Sequence, residues 1–188
     1  NITESDIEEI ADKADFHGEY QGRKYRIRIT RLYVEEAFVY TLCLFDETDL
    51  VELQNQKDDS MPVVGLIYMD NYDEAMESVE EVRRSLLEAL IDRKINQYIN
   101  GFNGIVKKLE KDKFFFVIKR ENLNSAIDVR FDILEDVKTV NIGNEMSITL
   151  SIGIGYGSEY LSRNYELARM AMDMALGRGG DQAVVKTE

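Results

Sequence analysis

Tryptophan is absent from this chain of 188 residues, and proline, cysteine and histidine occur once each. A lone cysteine has no partner for an intramolecular disulfide, which fits a reducing compartment. Cys43, inside the apolar run "AFVYTLCLF", reads as a core thiol. The single histidine, His17 beside Gly18, reads as a surface residue of a turn rather than a haem or metal ligand. Basic residues are scarce as well: 23 Lys and Arg face 36 Asp and Glu, for a net charge of −13. That balance argues against adhesion to DNA, RNA or an anionic leaflet, because binding to phosphate backbones needs cations in excess. No apolar run approaches the ~18 residues that would span a bilayer, and no signal-peptide pattern opens the chain. Its first residues, "NITESDIEEI", lack a methionine, so the expectation is a piece of a longer protein whose targeting information lies elsewhere.

The remainder is ordinary globular material, 44% apolar and 31% charged, long enough for one well-cored domain and part of a second. A polar stretch before Pro62, "ELQNQKDDSMP", places the boundary near Asp58, giving regions 1–58 and 59–188. In the first region "TESDIEEIADKA" predicts a helix, with Thr3 or Ser5 as N-cap. "KYRIRITRL" alternates, Tyr25, Ile27 and Ile29 against Arg26 and Arg28, while "AFVYTLCLF" is apolar on both faces, as a central strand would be. Two or three strands result. Such a sheet is too small to be covered by itself.

From Met61 onward strands and helices alternate. "VVGLIYM" predicts a buried strand, and 74–100 one long helix or two, with Val79, Val82, Leu86, Leu90, Ile91, Ile95 and Tyr98 at helical spacing. "GIVKKL" and "FFFVI" flank a charged turn, Glu110 to Lys113. A helix over "NLNSAIDVRFDILEDV", a strand in "SITLSIGIGYG", a helix over "NYELARMAMDMAL" and a short strand "AVVK" follow. The central hairpin and helical crossovers imply an α+β fold, a ferredoxin-like mixed sheet covered on one face.

The order of elements, "TLSIGIGYG", "VVGLIYMDNYDE" and "ALGRGGDQAVVK" together resemble the degenerate GGDEF domain of the GdpP/YybT family of membrane-bound cyclic-di-AMP phosphodiesterases. The resemblance covers nearly all of 61–186. The strands before it, ending in Asp46-Glu47-Thr48, resemble the C-terminal part of a PAS sensor domain. Such a parent carries transmembrane helices and a PAS domain before this one and a DHH-type phosphodiesterase after it. The resemblance therefore implies a cell-membrane parent, with this piece on the cytoplasmic side. It also implies Mn²⁺ in the absent phosphodiesterase domain and haem in a complete PAS domain.

A diguanylate cyclase joins two nucleotides by metal-assisted phosphoryl transfer, which takes carboxylates for divalent ions and a glycine turn that lets backbone N–H groups approach phosphate. Aligned to the Gly-Gly-Asp/Glu-Glu-Phe motif, this chain has Glu110 and Lys111 for the glycines, Asp112 for the first acid, Lys113 for the second, and Phe114. Tyr68 stands where a metal-binding Asp is expected, with Asp70 two residues on. Met76 takes the place of a base-reading Asn, Gly180 that of a phosphate-binding Lys near Arg178, and Gly101 to Gly104 lacks the charges of the inhibitory R-x-x-D. Cyclisation and product feedback both look lost.

The remaining candidates for nucleotide binding are Asp70, Asn71, Asp112, Lys113 and Arg178, with Asp70 and Asp112 as metal ligands. Each has a plainer alternative. Asp112 and Lys113 can be a solvated turn, Asp70 and Asn71 a helix cap, and "GRGGDQ" a helix C-terminal stop. The expectation is a regulatory, non-cyclising module that binds or slowly hydrolyses ATP with Mg²⁺. It would work as a homodimer beside PAS and DHH-type domains, without nucleic acid. The alternative is a purely structural dimerisation domain. In the first of these readings Lys113 offers its ammonium near Asp112 or Asp70, in place of a metal ion.

Overall fold

The computed structural model describes residue 11 and residues 15–188. The chain divides into two compact units, Asn1–Lys57 and Asp58–Glu188. Apart from Ala11, the helix expected over "TESDIEEIADKA" lies outside the described residues.

In the first unit β1 (Phe16–Tyr20), β2 (Arg23–Val34) and β3 (Ala37–Asp46) form an antiparallel sheet in that order. Among the described residues β3 is thus an edge strand, not the central one expected, and Leu42 and Leu44 are 58% and 57% exposed. Apolar side chains on both faces record what a strand can bury and not what covers it. Cys43 follows the same correction: opposite Arg28 on this edge, it is half-buried rather than a core thiol. His17 lies on the surface of β1 with Nε2 3.6 Å from Glu47. After β3 the Thr48 N–H and hydroxyl both donate to Asp46 Oδ1, at 3.1 and 2.6 Å, and start α1 (Thr48–Ser60). The polar stretch expected as a linker is most of this helix, which buries no residue and runs from one unit into the other.

The second unit is built on a five-stranded sheet ordered β5-β6-β4-β7-β8. The strands are β4 (Pro62–Met69), β5 (Ile105–Lys108), β6 (Lys113–Lys119), β7 (Leu150–Tyr156) and β8 (Ala183–Thr187), and only β7–β8 is a parallel pair. The helices are α2 (Tyr72–Glu77), α3 (Glu81–Gly101), α4 (Arg120–Asp128), α5 (Ile133–Lys138) and α6 (Leu161–Gly177).

Strand alternation decides which residues go to which layer. Val63, Ile67 and Met69 of β4, Phe114, Phe116 and Ile118 of β6, and Leu150, Ile152 and Ile154 of β7 form the main core with α3. Val64 and Leu66 point the other way and pack on Ala168 and Met172 of α6. The sheet is therefore covered on both faces, not one as expected. Glycines on β7 permit this: a Cβ on Gly153 or Gly155 would stand 2.5 or 2.1 Å from the α6 backbone. Of the three alternating methionines only Met172 is buried, with Met170 and Met174 44% and 41% exposed.

Two helices differ from expectation. The chain breaks between α2 and α3, and the restart shifts the buried stripe to Leu87, Ile91, Ile95 and Ile99, an i, i+4 ladder. Val82 and Leu86, expected on that stripe, are 90% and 52% exposed. The segment 122–137 is two helices because Arg130 and Phe131 both adopt φ +52°, a left-handed conformation that no helix continues through.

Candidate functional site

β5 and β6 are joined through Leu109 to Asp112, with the Leu109 N–H donating to Lys113 O at 2.8 Å. None of residues 109–113 has a positive φ, so charged side chains fit where glycines would otherwise stand. Lys113 faces Tyr68 across the β4–β6 ladder, its Nζ 5.5 Å from the Tyr68 ring centroid. That ammonium donates to Glu110 Oε2 at 2.8 Å. The hydrogen bond to Glu110 raises the Lys113 pKa, and burial raises that of Tyr68. Lys111 pairs with Asp73 and lies 5.0 Å from the Tyr72 ring centroid. Both lysines of the turn are thus neutralised by nearby acids. Lys113 stands with Glu110 rather than reaching Asp70.

The Met69 N–H donates to Asp112 O at 2.9 Å, so Asp112 and Asp70 stand at the same end of the sheet. The Asp70 carboxylate accepts from Ser151 Oγ at 2.6 Å and from the Asp181 N–H at 2.9 Å. It therefore clamps β7 to the loop between α6 and β8. Gly180, at φ +76°, lies so close that a Cβ would stand 2.9 Å from this carboxyl group. Asn71 is the N-cap residue of α2 by position, yet its side chain makes no cap hydrogen bond. It donates instead to Ser147 O at 2.8 Å and accepts from the Thr149 N–H at 3.1 Å. Arg178 ends α6, its N–H donating to Ala175 O at 3.2 Å, and its side chain is exposed.

Asp70 and Asn71 meet the α6–β8 loop and the approach to β7, while Asp112 and Lys113 form a separate turn beside the same strand end. The reading from sequence missed Ser151 and Asp181. The one is a buried serine in an apolar strand, the other an acid after two glycines, and neither spacing marks it as a partner of Asp70. The two divalent ions of an active cyclase do not fit these residues. Tyr68 offers no carboxylate, and both Asp70 oxygens already accept hydrogen bonds. Among the described residues no group of three or more His, Cys, Asp or Glu is placed to hold a metal ion.

A five-stranded sheet with a central hairpin, a last parallel strand and helices on both faces defines a GGDEF-type fold. The GGDEF domain of DgcB from Caulobacter crescentus, solved in complex with c-di-GMP, superposes with a TM-score of 0.58 at 13% identity. The match covers 74% of this chain and 85% of that one. Residues 67–188 match the family described as "Cyclic-di-AMP phosphodiesterase GdpP-like, GGDEF domain". The chain belongs to that family. It is 31% identical over 168 residues to the cyclic-di-AMP phosphodiesterase GdpP of Geobacillus thermodenitrificans, covering 89% of this chain and 25% of the relative. Against the cyclic-di-AMP phosphodiesterase PdeA of Listeria monocytogenes it is 32% identical, covering 77% and 22%. It spans about a quarter of the length of these relatives. Among the described residues no helix is long and apolar enough to cross a membrane.

Proposed function

We propose that this chain is a regulatory, non-cyclising GGDEF-type domain of a membrane-bound cyclic-di-AMP phosphodiesterase, linking an upstream PAS-type sensor to a hydrolytic domain outside it. The observation that carries the reading is the Lys113–Glu110 ion pair over Tyr68, in a place where metal-assisted phosphoryl transfer needs carboxylates. An ammonium can hold a phosphate oxygen, but it cannot polarise it as a divalent ion does. A nucleoside triphosphate such as ATP would have to draw Lys113 from Glu110, and would meet Arg178 and the turn backbone, with Asp112 toward any Mg²⁺ carried in with it. Such a ligand would report on the cell without being cyclised.

Calorimetric titration with ATP, with and without Mg²⁺, tests the binding. Incubation with GTP and Mg²⁺ tests the chemistry, with no cyclic-di-GMP expected by mass spectrometry. Cyclic-di-GMP above a no-protein control would overturn the reading. Absence of any ATP binding would leave a purely structural pairing domain.

A further inference from the structure

The second face of the five-stranded sheet is covered over only part of its width. α6 lies over β4, β7 and β8, while β6 and β5 extend beyond it to the sheet edge. The cross-strand register places the side chains of that strip. Val117 of β6 stands between Val64 and Ile105, and Phe115 between Leu66 and Lys107. Val64 and Leu66 are buried under α6, Phe115 and Val117 are half-buried beside them, and Ile105 is 74% exposed. Burial thus falls off toward the edge strand while the row from Val64 to Ile105 stays apolar. Tyr165 of α6 borders the strip, its ring centroid 6.2 Å from that of Phe115.

Cations rim this apolar floor. Lys107 lies opposite Phe115 on β5, Lys119 ends β6, and Arg169 lies a turn beyond Tyr165 on α6, near Tyr68. Lys113 and Lys119 are answered by Glu110 and Glu121 at 2.8 and 3.4 Å, so the sign of the strip rests on Lys107 and Arg169, both exposed. In a chain of net charge −13 it is an island of the opposite sign. Its size is that of one helix. Two strands about 4.8 Å apart give roughly 10 Å between α6 and the sheet edge, the diameter of a helix with its side chains. The seven residues of β6 give roughly 23 Å of length, about four helical turns.

We propose that the strip over β5 and β6 is a docking site for an acidic amphipathic helix of a partner protein, lying beside α6 as a further helix of the same layer. The apolar stripe of that helix covers Ile105, Phe115 and Val117, and its acids meet Lys107 and Arg169. A sheet face that stays apolar beside a packed helix is completed by another helix. Charge decides among the occupants. The same strip of a second copy would set cation against cation. A nucleic acid or an anionic leaflet presents charge over a breadth that the acidic remainder of the surface repels, whereas one helix confines its acids to the width of the strip. The inference stands apart from nucleotide binding, because neither Lys107 nor Arg169 is among the residues proposed for it.

The test uses the full 188-residue chain and a fluorescein-labelled helical peptide of about fifteen residues, with Leu at i, i+3, i+4 and i+7 and Glu between. Fluorescence anisotropy is expected to show binding that weakens with salt. It is expected to weaken about tenfold in the pair Lys107→Glu with Arg169→Glu, and again in Ile105→Ser alone. These positions are exposed, so the thermal midpoints of the variants should match that of the parent. The methyl signals of Ile105 and Val117 are expected to shift on binding. No binding at about 1 mM peptide, or binding that none of these changes weakens, would overturn the site. Oligouridylate, or vesicles containing phosphatidylserine, that bind more tightly than the peptide and lose that binding in the same variants would overturn the helix as occupant. So would a parent chain that sediments as a dimer and becomes a monomer in the charge pair.

Discussion

At Asp70 one carboxylate holds two chain segments, and the sequence shows only an acid at a strand end. Replacing it with Ala leaves the Ser151 hydroxyl, fully buried, without its acceptor. The expected loss is about 1–3 kcal/mol in urea unfolding, and Mn²⁺ affinity should not change. A loss of metal binding with stability intact would instead make Asp70 a ligand. The paired change Tyr68→Asp with Lys113→Glu asks the converse question. It removes the ammonium and supplies two acids beside Asp112, so Mn²⁺ titration is expected to reveal a site that the parent lacks. Acid sensitivity is a third matter at this scale. Hydrogen bonds from Arg28 and then Arg26 hold the Asp15 carboxyl well below its usual range. A depressed folded pKa contributes stability that is complete above the unfolded value, near 4, and is lost as pH falls toward the folded one. Asp15→Asn should therefore flatten the acid limb of the first unit's unfolding curve, followed by circular dichroism below about pH 4.

Elements show how much the sequence can say. "VVGLIYM" and "FFFVI" were legible as strands because runs apolar on both sides admit no amphipathic surface helix. The GGDEF plan was legible because the strand–helix order and the hairpin are local. What was not legible depends on contacts distant in sequence. The placement of α6 on the second face rests on two glycines whose role appears only when a helix backbone lies against them. The buried stripe of α3 moved because no periodicity marks where a helix restarts. Asp70 and Asn71 read as caps, but their partners lie more than seventy residues away. Gly155→Ala is the direct probe of the α6 contact. Its new methyl would meet Asn164 O at 2.1 Å and can be relieved only by moving the helix. A destabilisation of about 1–3 kcal/mol or more is expected, read from the thermal midpoint. Gly177→Ala, at a position open to space, should cost far less.

For the whole molecule the two units predict different fates when separated. The second has its own core and its own sheet, so a fragment of residues 58–188 is expected to unfold cooperatively, with coincident transitions by fluorescence and circular dichroism. The first unit leaves Leu32, Phe38, Val39, Leu42 and Leu44 about half exposed. Alone it is expected to associate, because an edge strand with apolar faces pairs with its own kind. Sedimentation of residues 1–57 at rising concentration checks this. A monomer throughout would show that three strands are enough.

The start of β4 and the end of β8 flank the same end of β7, with Val64 opposite Gly155 and Thr187 opposite Tyr156. Tension applied between Asp58 and Glu188 therefore loads each ladder at its last rung, and the rungs give way one after another. Handles at Asp58 and Asp112 would instead pull β4 lengthwise, loading all its hydrogen bonds together. In optical tweezers the first geometry is expected to open at clearly lower force than the second. Placed between heavier neighbours in a longer chain, this unit would be the mechanical fuse.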